Sequence, residues 1–155
     1  MPEFNIGDKA PDFNIPTNGG GNTTLSTYSG KFLVLYFYPK DDTPGCTTEA
    51  KDFTALYADF GKAGAAILGV SKDTVAKHEK FISKHELAIT LGSDESGEMV
   101  EAYGVWVEKN MYGRKYMGIQ RSTFLIGPDG KIAHVWPKVK VKGHAQAVLD
   151  TLTAK

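Results

Sequence analysis

The chain has 155 residues, and its 18 basic and 18 acidic side chains cancel at neutral pH. That length favours one domain whose core buries roughly 70% of the unfolded surface, with no need of disulfide or metal staples. Balanced charge excludes the strong basic field that gathers nucleic acid or an anionic membrane, so a small or uncharged partner is expected.

The opening MPEFNIGDKAPDF has no basic stretch leading into an apolar run and does not read as a secretory signal. The longest apolar run, Phe32 to Tyr38, is far short of the roughly 20 residues that cross a membrane. A single cysteine closes no internal disulfide, which agrees with a reducing compartment. A soluble, cytoplasmic protein, monomeric or weakly dimeric, is expected.

NGGGN, Asn18 to Asn22, reads as a loop; it lacks the Lys-Ser/Thr ending of a phosphate cradle. KFLVLYFY, Lys31 to Tyr38, is apolar on both parities, as in a central strand covered on both faces. Past a Pro-Gly turn, Ala50, Phe53, Leu56, Tyr57 and Phe60 recur at three and four, which predicts one helix beginning near Cys46. Ala65 to Ser71 reads as a second buried strand. Val75, His78, Phe81 and Ile82 then predict a helix behind the cap residues Asp73 and Thr74. AITLGSD suggests a short strand, followed by a short helix from Glu98 to Tyr103. Val105 to Gln120 reads as a polar and aromatic loop. STFLI and KIAHVW flank GPDG, Gly127 to Gly130, the strongest hairpin signal in the chain. A helix from His144 to Leu152 closes an α/β domain.

The one cysteine, Cys46, lies between a Pro-Gly turn and Thr47-Thr48, at the helix start that follows the central strand. Sites in open α/β sheets form beyond the carboxyl ends of strands, so the position suits chemistry. An isolated cysteine is usually a small buried hydrophobe. The polar and turn-forming flanks Thr43, Pro44, Gly45, Thr47, Thr48 and Glu49 argue against a core position here. An ordinary thiol has a pKa of about 8.5 and is only a few per cent thiolate at neutral pH. Reaching about 6 needs roughly 3.4 kcal/mol. A helix N-terminus supplies about 0.3 to 1 kcal/mol, at most about 2, so a cation must stand nearby. The chain has only Arg114 and Arg121, and Arg121 opens a strand that can lie beside the central one.

Pro39, Thr43 and Cys46 form P-x-x-x-T-x-x-C. With FYPKDDTPGCTTEAKDF, the distant RSTFLI, GDKAPDF near the start and LYFYP, the chain resembles the peroxiredoxins, and among them the bacterioferritin-comigratory or Q-type branch. The resemblance implies a thioredoxin-like fold over residues 1–155: a central mixed sheet flanked by helices, with an N-terminal extension. It implies a thiol peroxidase acting on hydrogen peroxide and organic hydroperoxides, with no metal or organic cofactor. By the same resemblance Cys46 is the peroxidatic nucleophile, Thr43 hydrogen-bonds thiolate and peroxide, Pro39 shields the pocket from water, and Arg121 stabilises the thiolate and the polarised peroxide.

Independently of resemblance, attack on an O–O bond needs a nucleophile and donors for the developing charge, which Thr43, Arg121 and free helix-start amides supply. Glu49, three residues beyond Cys46, either orients Arg121 or complements the helix dipole. His78, His85, His134 and His144 have no ligand spacing, so no metal is expected. Trp106, Tyr112 and Tyr116 read as loop packing, with a cover over the pocket as the alternative. Q-type relatives often carry a second cysteine five residues after the first, where this chain has Lys51. A sulfenic acid on Cys46 must then meet an external thiol, from a thioredoxin, a glutaredoxin or a low-molecular-weight thiol. Three rivals stand behind this reading. A disulfide reductase would need C-x-x-C, and a cysteine hydrolase would need a histidine beside the thiol. A redox sensor or chaperone-like module would share the thiol but not the turnover.

Overall fold

The computed structural model describes residues 4–155; residues 1–3, part of the segment read for a secretory signal, lie outside it. The N-terminal extension forms a small hairpin, β1 (Asn14–Pro16) and β2 (Asn22–Thr24), followed by a 3-10 turn at Leu25–Tyr28. The glycine-rich loop is therefore the turn of a hairpin whose strands, three residues each, are too short to show a period.

The chain continues through β3 (Phe32–Phe37), α1 (Pro44–Ala55), α2 (Tyr57–Lys62), β4 (Ala65–Ser71), α3 (Val75–His85), β5 (Thr90–Ser93) and α4 (Glu98–Ala102). It ends with β6 (Trp106–Met111), β7 (Arg114–Ile119), β8 (Ser122–Ile126), β9 (Ile132–Trp136) and α5 (His144–Thr153). Five strands make a mixed sheet in the order β5-β4-β3-β8-β9. The first three run parallel, while β8 is antiparallel to β3 and β9 to β8. This is the central strand and the closing hairpin expected from the sequence, set between helical layers.

Alternation along β3 divides the core in two. Val34, Tyr36 and Tyr38 face α1, α3 and α5, where they meet Phe53, Phe81 and Val148. Leu33, Leu35 and Phe37 face the N-terminal extension and α4, where they meet Phe13, Ile15, Val100 and Tyr103. Covered strands of this kind read as continuous apolar runs because both parities are buried.

Two predicted elements differ from the structure. The helix starting near Cys46 does not run unbroken to Phe60; it stops at Ala55, pivots at Leu56 and resumes as α2. The pivot turns Phe60 into the core and leaves Tyr57 47% exposed. Residues 105–120 are not a loop either. They hold the β6–β7 hairpin, paired from Trp106 with Ile119 to Met111 with Arg114. Its two turn residues, Tyr112 and Gly113, both have positive φ, 54° and 80°. Such a tight turn normally announces itself as Asn-Gly or Asp-Gly, and tyrosine in the first position hides it. Most of β7 is exposed, so its ladder was not legible as a buried face.

Candidate active site

Cys46 is the third residue of α1, behind the cap residue Thr43 and Pro44 in the first helical position. First-turn amides of a helix have no acceptor within it, so those of Gly45 and Cys46 are donors at the site. The thiol is only 1% exposed and belongs to the apolar cluster of Tyr36, Ala50 and Phe53. The polar flanks had argued against a core position; they cover the helix start, while Cys46 itself points inward. Burial and chemistry coexist because a half-buried charged group stands beside it.

That group is Arg121. The β3–β8 register sets Phe37 opposite Ser122, which brings the residue before Ser122 to the start of α1. One terminal nitrogen, Nη2, lies 3.4 Å from Cys46 Sγ, and Nη1 donates to Glu49 Oε1 at 2.6 Å. A Cβ on Gly45 would lie 3.1 Å from Nη2, so glycine leaves the guanidinium room against the helix start. Of the two roles open to Glu49, the geometry gives it the first, holding Arg121. Burial pulls the guanidinium pKa down, but Glu49 and Cys46 outweigh it and the net direction is upward. Burial pushes the Glu49 carboxyl up to about 7, and Arg121 draws it only part of the way back. Glu49 Oε2 and the Tyr36 hydroxyl are buried without a partner among the described residues.

Thr43 and Pro39 are placed less directly. The Thr43 hydroxyl donates to the Lys40 carbonyl at 2.8 Å. A carbonyl can only accept, so the hydroxyl proton is committed and the Thr43 lone pairs remain free to accept. Pro39 is exposed, directly after Tyr38.

Two neighbours of the site were missed. Buried His144 sits 2.8 Å from Thr123 Oγ1, and burial, helped by the Arg121 charge, lowers its pKa to about 4. Half-buried Lys109 on β6 has its pKa lowered by burial and then by Arg121, with an opposing pull from Cys46. No local pattern could have found either residue, because the hairpin and α5 reach the site only in three dimensions. Trp106 packs under Lys72, whose Nζ lies 4.3 Å from the ring centre. Tyr112 is fully exposed at the hairpin tip and covers nothing. Lys51, in the place of a second cysteine, is exposed on α1. Among the described residues no group of three or more His, Cys, Asp or Glu side chains is arranged to hold a metal, and no helix is long and apolar enough to cross a membrane.

Residues 6–135 match the AhpC/TSA family. The chain is 50% identical over 147 residues to peroxiredoxin Bcp of Bacillus subtilis, covering 95% of this chain and 94% of that one. Among solved structures it is similar to the Xanthomonas campestris bacterioferritin comigratory protein, described as having alkyl peroxide reduction activity. There the TM-score is 0.90 at 49% identity over 97% of this chain and 98% of the other. A Xylella fastidiosa PrxQ mutant gives a TM-score of 0.94 at 42% identity over 99% and 98%. The fold is thus the thioredoxin-like peroxiredoxin fold. Sharing nearly its whole length with these proteins, the chain belongs to the AhpC/TSA family as a peroxiredoxin of the Bcp or Q type, a thiol-dependent peroxidase.

Proposed function

We propose that Cys46 is the peroxidatic residue, that Arg121 and Thr43 bind and polarise the peroxide, and that an external thiol completes the cycle. The observation carrying this is the Arg121 guanidinium, bridging Cys46 Sγ and Glu49 across a helix N-terminus. The Cys46 thiolate forms a bond to one peroxide oxygen while the O–O bond breaks. The electron pair leaves on the other oxygen, which takes up a proton and departs as water or an alcohol. Sulfur is thereby oxidised to a sulfenic acid and the peroxide is reduced. Arg121 and the first-turn amides face the charge that develops on the oxygens. With its own proton on Lys40, the Thr43 hydroxyl accepts the O–H of the incoming hydroperoxide. Pro39, at the end of the strand, is assigned the water-shielding role.

A thiol then forms a mixed disulfide with Cys46 and releases water, and a second thiol frees the enzyme. The chain has no other cysteine, so both thiols come from outside: a thioredoxin, a glutaredoxin or a low-molecular-weight thiol. With Cys46 1% exposed, the first turn of α1 opens to admit them. Thr43 makes no side-chain cap there, so that turn lacks a bond that commonly ties a helix start. The lone thiol suits the reducing cytoplasm, where we place the protein.

Mass spectrometry after one equivalent of peroxide, followed by turnover with each class of thiol, tests the cycle. A sulfenic acid on Cys46 that is reduced repeatedly supports it. Oxidation that stops at one equivalent with every thiol overturns the turnover step and leaves a redox sensor.

A further inference from the structure

The segment from Tyr38 to Thr43 carries the chain from the central strand to the catalytic helix, and it is fastened from beneath by buried polar groups. The Tyr38 hydroxyl donates to Asp41 Oδ1 at 2.6 Å, and Asp41 Oδ2 lies 2.6 Å from His78 Nδ1. His78 Nε2 is 2.9 Å from the Gly92 carbonyl, and the Asp41 amide donates to Asp73 Oδ2 at 2.8 Å. His78 is 0% exposed, Tyr38 1% and Asp41 9%. His78 therefore belongs to a buried polar network.

Proton accounting constrains this network. The Gly92 carbonyl only accepts, so Nε2 carries hydrogen. His78 Nδ1 and Asp41 Oδ2 then approach each other with a proton between them. The pair thus holds one proton more than a neutral imidazole beside a carboxylate, and is electrically neutral as a whole. Losing that proton would leave two lone pairs face to face in a buried site, at a severe cost.

We propose that Asp41 and His78 are a positioning pair for the peroxidase reaction: their shared proton locks the Tyr38–Thr43 segment, and with it Thr43 and the helix start that presents Cys46. This rests on the roles given above to Thr43 and Cys46. The outer side of the same segment supports it. Asp42 holds a left-handed backbone, φ 60°, strained for a non-glycine residue, and is tied to Lys84 at 2.7 Å and His85 at 2.8 Å. Both anchors lie on α3, as His78 does, so one helix holds two successive residues, one through a buried contact and one through exposed ones. Lys40, Lys77, Lys80 and Asp73 complete the charged groups around this cleft. Burial holds the Tyr38 phenol well above its usual range, so it remains a donor to Asp41.

The test compares Asp41→Ala and His78→Leu, which cut the contact, with Asp41→Asn. The asparagine amide can donate to His78 Nδ1 while its oxygen accepts from Tyr38, which keeps both ties with no proton to lose. Cutting the contact should slow Cys46 oxidation by peroxide about 10- to 100-fold, the penalty for small misplacements of reacting groups. Asp41→Asn should recover most of that loss. Wild-type protein should show a low-field proton resonance from the Nδ1–Oδ2 contact, absent in Asp41→Asn. No such resonance at neutral pH, or wild-type oxidation rates in folded Asp41→Ala, overturns the proposal. If the cutting variants do not fold, the resonance decides it. Wild-type protein in which Cys46 fails to react with peroxide would overturn the proposed cycle, while the resonance would still report on the pair.

Discussion

Glu49 offers a sharp quantitative test of the site. Its carboxyl moves from an ordinary 4.5 to about 7, mainly because it is buried, with Arg121 opposing the change. At about 1.36 kcal/mol per pH unit, this corresponds to roughly 3 kcal/mol of differential stability. The folded-state value is the raised one, so the contribution is fully present below 4.5 and is lost as pH rises through 7. His144 works the other way. Its value falls from 6.5 to about 4, so its contribution is present above 6.5 and is lost as pH falls towards 4. The two nearly cancel in the wild-type protein between those limits. Urea denaturation of wild type and Glu49→Gln from pH 4.5 to 8 separates them. The stability of the variant relative to wild type should climb by roughly 3 kcal/mol across the range and level off above about 7. A difference that stays flat would show that Glu49 does not titrate there, and would refute the view that burial outweighs Arg121.

The remaining expectations are direct. Arg121→Ala should slow Cys46 oxidation by about 10²- to 10³-fold in stopped flow, as loss of one preorganised donor does, with the circular dichroism of the fold retained. An unchanged rate would remove Arg121 from the mechanism. His144→Gln should leave the Glu49 contribution unopposed, so that the variant gains stability relative to wild type as pH falls from 6.5 towards 4, measured as the urea midpoint; a constant difference would mean that His144 does not titrate there. Thr43→Val should lower the oxidation rate and cost about 1 kcal/mol of stability from the lost bond to Lys40. Kinetics like those of wild type would show that the hydroxyl is not used. Gly69→Ala places a Cβ 2.7 Å from Tyr36 Cζ and should destabilise by about 1 to 3 kcal/mol, read as a lower thermal midpoint. An unaltered midpoint would mean that the Tyr36 ring is free to move.

Much of this protein could be read directly from its residues. Phe32 to Phe37 had to be a central strand because both of its faces are apolar, and GPDG had to join a hairpin because local backbone chemistry selects that turn. Cys46 behind Pro44 and Gly45 had to begin a helix, and an attacking thiol at that point required a cation. Such features depend on neighbours in sequence, and their signals are local. The tertiary structure alone decided the rest. It set Arg121 between Cys46 and Glu49 through the β3–β8 register, brought His144 and Lys109 to the same neighbourhood, and buried His78 against Asp41. Those contacts join residues tens of positions apart, and their energies come from burial and from the pairing of charges. Neither quantity exists until the sheet has closed and water has been excluded.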